Sequence, residues 1–360
     1  MYLITTSRDR PARRRRLLAV VAVVALAAGV TACGSDGSEE SRTGGGSRDA
    51  AADADAFPVE IEHRYGTTEI TEKPERVVLV GLVEQDAFLA LGVKPVATTE
   101  WFGEHPGAVW PWAQEAAAAA DGEEIEVLSD ADGINYEQIA RLRPDVIVGL
   151  YSGLTRDDYD TLAEIAPTVA QPGEHPDYGI PWQELTEKVG LIVGESERAD
   201  ELIAEVEEQF AEAAAAHPEL DGARAAMAMP YEGIYVYGRE DPRGRFLASL
   251  GMVVPEEIDA VAGEEFGGQL SEERAELLDV DVLVWLDPED AEGDLGGPLY
   301  AGLDVHTEGR EVLLDSEAPD ALGGATSFVS VLSLPFLLDG LVPRLAAAVD
   351  GDPATEVPTS

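Results

Sequence analysis

"INYEQIARLRPDVIVGL" runs from Ile134 to Leu150, and "LSEERAELLDVDVLVWL" from Leu270 to Leu286. Aligned at an offset of 136 residues, the two agree at six of seventeen positions: Glu137/Glu273, Leu142/Leu278, Asp145/Asp281, Val146/Val282, Val148/Val284 and Leu150/Leu286. Each copy begins with polar residues that suit a helix start and ends in a short apolar run that reads as a buried strand. A second echo pairs "LALGVKP" (Leu89–Pro95) with "LASLGMVVP" (Leu247–Pro255), and it precedes the first echo in both halves. Two echoes in the same order predict two lobes of related design.

Working outward, "RVVLVG" (Arg76–Gly81), "VKPVAT" (Val93–Thr98), "PDVIVGL" (Pro144–Leu150) and "PTVAQ" (Pro167–Gln171) alternate with helical stretches such as "EQDAFLALG" (Glu84–Gly92). "ARAAMAM" (Ala223–Met229), "GIYVYG" (Gly233–Gly238), "DVLVWL" (Asp281–Leu286) and "EVLLD" (Glu311–Asp315) repeat the theme. Strand and helix alternating at these lengths give an α/β protein of two Rossmann-like lobes with mainly parallel sheets. Between them lies "SERADELIAEVEEQFAEAAAAH" (Ser196–His217), with Leu202, Ile203, Val206, Phe210 and Ala213 on one helical stripe. Ser196 is expected to cap this single long connecting helix, whose stiffness argues against large opening motions. The expected organisation is a signal peptide over residues 1–32, a lipidated flexible tether over 33–56, an N-terminal α/β lobe over 57–194, the connecting helix over 195–218, a C-terminal α/β lobe over 219–350 and a tail over 351–360.

The leader reading comes from Arg8, Arg10 and Arg13 to Arg16, followed by the small and apolar run Leu17–Val30. That run is too short to span a bilayer comfortably and reads as a signal-peptide core. It closes on "VTACG" (Val30–Gly34), where small residues before a cysteine resemble a bacterial lipobox with Cys33 as the lipidated residue. Cys33 is the only cysteine, so no internal disulfide forms and stability must come from a packed core. The chain has 24 basic and 71 acidic side chains, a formal charge of −47. Nucleic acid and anionic lipid surfaces are poor partners for such a body, and most of the acids read as a solvated coat.

No nucleophile elbow, P-loop, H-E-x-x-H or dinucleotide fingerprint is present, and the serine of "GLYSGL" (Gly149–Leu154) is misplaced for catalysis. The histidines His63, His105, His175, His217 and His306 show no metal-ligand spacing. Chemistry of capture remains. Ligands of open α/β sheets bind beyond the carboxyl ends of the strands. The loops there carry Trp101 and Phe102 in "TEWFGEHPGAVWPW", Tyr151 and Arg156 in "YSGLTR", and Tyr231 after the first strand of the second half. They also carry Tyr237, Arg239, Arg243 and Arg245 in "YGREDPRGRF", Trp285 at the end of "DVLVWL", and Phe328 in the last of these loops. Aromatic walls with arginines gathered against an acidic background suit a bulky ligand rich in anionic or carbonyl oxygens.

Four segments carry a family resemblance: "PERVVLVGLVEQDAFLALGVKPVATTEW" (Pro74–Trp101), "DGINYEQIARLRPDVIVGLYSGLT" (Asp132–Thr155), "YVYGREDPRGRFLASLG" (Tyr235–Gly251) and "LSLPFLLDGLVPRLAAAVDGDP" (Leu332–Pro353). From about Phe57 to Asp350 the chain resembles the iron-siderophore substrate-binding lipoproteins of bacterial ABC importers, relatives of the ferrichrome, haem and vitamin B12 binding proteins. The resemblance implies the class III periplasmic-binding-protein fold, two lobes on one long rigid helix with a shallow cleft between them. It implies a monomer, lipid-anchored on the extracytoplasmic face of the cell membrane, whose partners are an ABC permease and its ATPase. The cargo implied is a ferric siderophore, with vitamin B12 or haem as the alternative. Iron then travels inside its chelate, with no protein metal ligands, no cofactor and no catalysis; an anchored extracellular hydrolase is the alternative from another class.

The resemblance also assigns Glu137 and Glu273 to docking on permease arginines. Asn135 and Ser271 are expected to cap the two helices, with Gln138 closing a capping box on Asn135. Each glutamate then stands in a first helical turn on the ligand-bearing edge of its sheet, where a carboxylate also stabilises a helix by about 0.3 to 1 kcal/mol.

Overall fold

The computed structural model describes residues 56–358, apart from 129–132, 264, 292–294, 317, 353 and 356. The expected signal peptide, nearly all of the tether, and Cys33 lie outside the described residues. The chain enters through a hairpin, β1 (Val59–His63) and β2 (Gly66–Ile70), whose two-residue turn is tied to the first sheet by the Arg64 N–H donating to the Gln171 carbonyl at 2.9 Å.

The first sheet holds β3 (Val77–Leu79), β4 (Ala97–Thr99), β5 (Glu126–Leu128), β6 (Val146–Val148) and β7 (Thr168–Val169), all parallel, in the order β5-β4-β3-β6-β7. The second holds β8 (Ala225–Pro230), β9 (Ile234–Tyr237), β10 (Gly267–Leu270), β11 (Val282–Leu286) and β12 (Glu311–Leu314), in the order β10-β9-β8-β11-β12. The strand order is the same in both, counted from the first strand of each sheet. The difference is β9, which is antiparallel to both its neighbours because the Tyr231–Gly233 turn returns the chain directly. The central strands are continuous apolar runs, β3 and β6 buried along their length, as strands covered on both faces must be.

The echo that opens the sequence falls on the fourth strand of each lobe. Its matched aspartates do the same work. Asp145 Oδ2 accepts the N–H groups of Glu75 and Arg76 at 2.9 Å each, while its own N–H donates to the Arg76 carbonyl at 2.9 Å. Asp281 Oδ2 accepts the Arg224 N–H at 2.8 Å and its N–H donates to the Arg224 carbonyl at 2.9 Å. In both lobes the lead-in to strand four is thus clamped to the lead-in to strand one.

The helices ahead of these strands differ. Tyr136–Leu142 is an α-helix, and Asn135 Oδ1 caps it by accepting the Gln138 N–H at 3.0 Å. The expected capping box does not close, because the Gln138 amide donates instead to the carboxylate of Glu126 at 2.7 Å, a charge-assisted bond. Glu272–Leu278 is a 3₁₀-helix kinked at Arg274, and Ser271 makes no side-chain cap.

Between the sheets runs the helix Ser196–Ala216, 21 residues or about 30 Å. Ser196 is its first helical residue rather than its cap; Glu195 precedes it without a side-chain bond. Ala199, Ile203, Val206 and Phe210 form the buried stripe at alternating four- and three-residue steps. Ala199, Val206 and Phe210 of that stripe lie in one apolar cluster that runs from Ile61 and Leu79 of the first lobe to Leu247 and Val284 of the second. Phe210 meets Phe246 edge to face at 5.6 Å, and burying such a ring contributes roughly 2 to 3 kcal/mol. Among the described residues, no helix is long and apolar enough to cross a membrane.

Candidate ligand-binding cleft

The floor of the site in the first lobe is set by a buried acid. After β3 the chain turns through Gly81 into the helix Gln85–Ala90, and the Glu84 carboxylate folds back under the turn. A Cβ at Gly81 would stand 1.9 Å from Glu84 Oε1, so any side chain there would displace the carboxylate from this position. Glu84 Oε1 accepts the Tyr151 N–H at 2.7 Å and Oε2 accepts the Val83 N–H at 3.1 Å. Burial pushes this carboxyl up from 4.5 to about 7 against those bonds. Asp86, also buried, accepts the Trp112 indole N–H at 2.8 Å and the Ser330 hydroxyl on the same oxygen, and burial raises it from 3.8 to about 6.

Above this floor β4 delivers Trp101 and Phe102. Trp101 packs at 5.3 Å from Phe102 and 5.8 Å from Phe328, and Phe102 stands 5.8 Å from Phe328. Phe328 comes from the helix Leu322–Phe328, which reaches over from the second lobe's side of the chain. Gly324 of that helix lets it seat against Trp110, since a Cβ there would lie 2.4 Å from the indole. Trp110 and Trp112 stack at 4.9 Å behind the wall as core, whereas Trp101 is 38% exposed.

The opposite wall is built by the second lobe. Asp241 caps the helix Pro242–Ser249 and accepts the Arg243 N–H at 2.9 Å. The Arg243 guanidinium pairs with the same carboxylate at 3.2 Å, donates to Ser327 Oγ at 2.5 Å and lies 4.2 Å over the Tyr237 ring. It is 8% exposed, and its Nε–H is buried with no acceptor. Asp287, at the end of β11, accepts the Ser316 N–H at 2.7 Å and the Ser316 hydroxyl at 3.0 Å. A cavity of about 520 Å³ lies between the walls, bordered by Trp101 and Phe102 on one side and by Tyr237, Arg243, Asp287 and Ser327 on the other. A smaller cavity of about 140 Å³, lined by Tyr151, Trp182, Phe210, Arg245 and Phe328, sits toward the connecting helix.

Of the residues expected at the ligand, Trp101, Phe102, Tyr237 and Arg243 line the larger cavity, and Tyr151, Arg245 and Phe328 the smaller. Tyr231, 56% exposed, borders a neighbouring cavity with Glu272 and Asp290. Trp285 is a correction. It is fully buried, its indole N–H donating to the Tyr300 hydroxyl at 2.8 Å, because the pleat turns it to the covered face while Leu286 meets the cavity. Arg156 is another. It is the first residue of the helix Arg156–Ala163, so it pairs with Asp160 one turn on at 2.9 Å and lies over Tyr65 and Tyr159.

The three arginines of "YGREDPRGRF" do not converge. Arg239 is drawn outward to Asp259 at 3.1 Å, and Arg245 donates to the Gly179 carbonyl at 3.2 Å with Glu240 at 3.6 Å. Sequence reasoning missed Met229, Asp287, Glu289, Asp290, Asp315 and Ser327 on the cavity wall. Their positions at or after strand ends were the available signal; the four acids merge into the general acidic background, and Met229 and Ser327 carry neither the charge nor the aromatic ring that marks the others. Glu137 and Glu273 are both exposed. His63 bonds Thr68, His105 packs on Trp110 and His175 bonds Glu184. Among the described residues, no three His, Cys, Asp or Glu side chains group to hold a metal ion.

Residues 84–316 match the family model described as periplasmic binding protein. A periplasmic solute binding protein of Mycobacterium smegmatis superposes with a TM-score of 0.69 at 35% identity, over 81% of this chain and 98% of that one. PiaA of Streptococcus pneumoniae in complex with ferrichrome superposes at 0.68 with 27% identity, over 81% and 99%. A probable siderophore-binding lipoprotein of Bacillus subtilis is 34% identical over 113 residues, which cover 30% of this chain and 31% of that relative.

Proposed function

Because the chain belongs to the periplasmic binding protein family, we propose that it is the extracytoplasmic, lipid-tethered receptor of an ABC importer and that its cargo is a ferric siderophore. The observation that carries this reading is the inter-lobe cavity of about 520 Å³, walled by Trp101 and Phe102 from one lobe and Tyr237 and Arg243 from the other. The aromatic faces bury the organic shell of the chelate, and buried donors meet its oxygens. Iron enters and leaves inside the chelate, as substrate. Glu137 and Glu273, exposed at matching positions ahead of strand four in each lobe, dock the loaded receptor on basic residues of the permease. Cys33 carries the lipid.

Titration with ferric siderophores, cobalamin and haem, followed by tryptophan fluorescence, tests the cargo. Trp101 stands in the wall, so a bound iron chelate quenches it at micromolar concentrations or below. Quenching by cobalamin or haem alone reassigns the cargo within the fold, and quenching by none of them removes the reading. Cys33→Ala tests the anchor: the protein then fractionates as soluble material, and continued membrane retention counts against lipidation.

A further inference from the structure

The walls of the larger cavity are unlike what an anionic ligand needs. Four carboxylates border it, Asp287, Glu289, Asp290 and Asp315, against one guanidinium, that of Arg243. Arg243 brings no spare charge, because Asp241 holds it at 3.2 Å. The other arginines of that loop are committed outside the cavity, Arg239 to Asp259 at 3.1 Å and Arg245 to Gly179 and Glu240 at 3.2 and 3.6 Å. Asp287 is fixed in place by the Ser316 N–H and hydroxyl, and Glu289 and Asp290 are exposed at the rim. The body around them has a formal charge of −47, so the long-range field adds to the local one.

A second observation points the same way. Arg243 is only 8% exposed, its guanidinium is taken up by Asp241 and Ser327, and its Nε–H is enclosed away from the open space, so little of its charge is offered to a ligand. An ion pair so enclosed offers an anionic ligand no free cation, whereas a ferric hydroxamate, neutral at its metal centre, needs none. A carboxylate in the cavity would face Asp287, Glu289 and Asp290 with Arg243 already committed, and like charges set across a binding surface reject wrong partners. The exposed face of Trp101 and the rings of Phe102 and Tyr237 favour an ammonium group over an anion.

Resting on the siderophore reading above, we infer that the cleft selects ferric chelates that are neutral or cationic, hydroxamates with a free ammonium arm above all. Chelates left anionic by carboxylate or catecholate donors are turned away. Glu289 and Asp290 set part of this selection, and Asp287 the rest.

The test is a fluorescence titration of the full chain with ferrioxamine B as the cationic hydroxamate, ferrichrome as the neutral one and ferric dicitrate as the anion, at low and high salt. Ferrioxamine B binds about tenfold or more tightly than ferric dicitrate at low salt, and salt narrows the gap. The double variant Glu289→Gln, Asp290→Asn, both exposed positions that leave the fold intact, weakens ferrioxamine B by about threefold to fivefold and improves ferric dicitrate. Ferric dicitrate binding as tightly as ferrioxamine B overturns the charge selection and leaves the siderophore reading standing. An unchanged preference in the double variant removes these two carboxylates from it. Binding of cobalamin or haem with none of the three iron chelates overturns both readings.

Discussion

Glu84 Oε1 accepts the backbone N–H of Tyr151 at 2.7 Å, so a fully buried carboxyl joins the loop after β3 to the loop after β6. Burial raises Glu84 from 4.5 to about 7 and Asp86 from 3.8 to about 6. A carboxyl raised on folding binds its proton more tightly in the native state, so its contribution to stability is complete below the unfolded value. That contribution is lost as pH climbs to the folded one. For Glu84 the window runs from about 4.5 to about 7, worth on the order of 3 kcal/mol at a little over 1 kcal/mol per unit. Denaturant midpoints measured across that window should fall with rising pH. Repulsion within the acidic coat acts in the same direction, so the diagnostic is Glu84→Gln: its slope is shallower than that of the unaltered protein, and equal slopes would clear Glu84 of the effect.

Trp101 and Trp285 separate ligand wall from core. Trp101 is 38% exposed and its ring faces the cavity, so Trp101→Ala should weaken ligand binding by about tenfold or more and shift stability by less than about 1 kcal/mol. Trp285 is enclosed with Tyr300, so Trp285→Ala should cost about 3 to 5 kcal/mol while the folded fraction keeps its affinity. Thermal melts paired with titrations check both, and the opposite pattern would exchange their roles.

Arg243 is held by shape as much as by charge. Its planar guanidinium lies 4.2 Å over Tyr237 while bonding Asp241 and Ser327 in different directions. An ammonium keeps the charge and loses the stack and the fork. Arg243→Lys should therefore retain the fold, with a loss of about 1 to 2 kcal/mol, and weaken ligand binding by about tenfold. Urea melts and calorimetric titration measure the two losses separately; undiminished affinity would mean that the ligand does not touch this side chain.

The two-lobed plan was legible because it is written in local patterns that repeat. Asp145 and Asp281 match in sequence because each clamps strand four to strand one, a backbone need that recurs wherever the unit recurs. The antiparallel β9 was not legible, since "GIYVYG" is as apolar as its parallel neighbours and carries no mark of direction. Of the expected side chains, Trp101, Phe102, Tyr237 and Arg243 border the larger cavity, while Trp285 and Arg156 turn elsewhere. Every position of β11 is buried, so alternation could not say whether Trp285 or Leu286 met the ligand. The arginines were misread as a group because their partners, Asp259 for Arg239 and Gly179 for Arg245, lie 20 and 66 residues away. Glu84 left no signal, because its burial depends on the closeness of a strand that arrives 67 residues later.

Glu137 and Glu273 carry the last prediction. Both are exposed, and neither borders the inter-lobe cavity, so reversing their charge should leave the cleft untouched. Glu137→Lys and Glu273→Lys, singly and together, should alter stability by no more than about 0.5 kcal/mol beyond the small helix-terminus term. Ligand affinity should stay as it was. Under the docking proposed above, uptake of the iron chelate by cells carrying the double variant should fall severely, because each lysine would then face basic residues on the permease, where like charges are strongly penalised. Glu276→Lys, an exposed change of the same size on the same short helix as Glu273, is the control and should transport normally. Loss of binding in the double variant would place these residues at the ligand, and normal uptake would remove them from docking altogether.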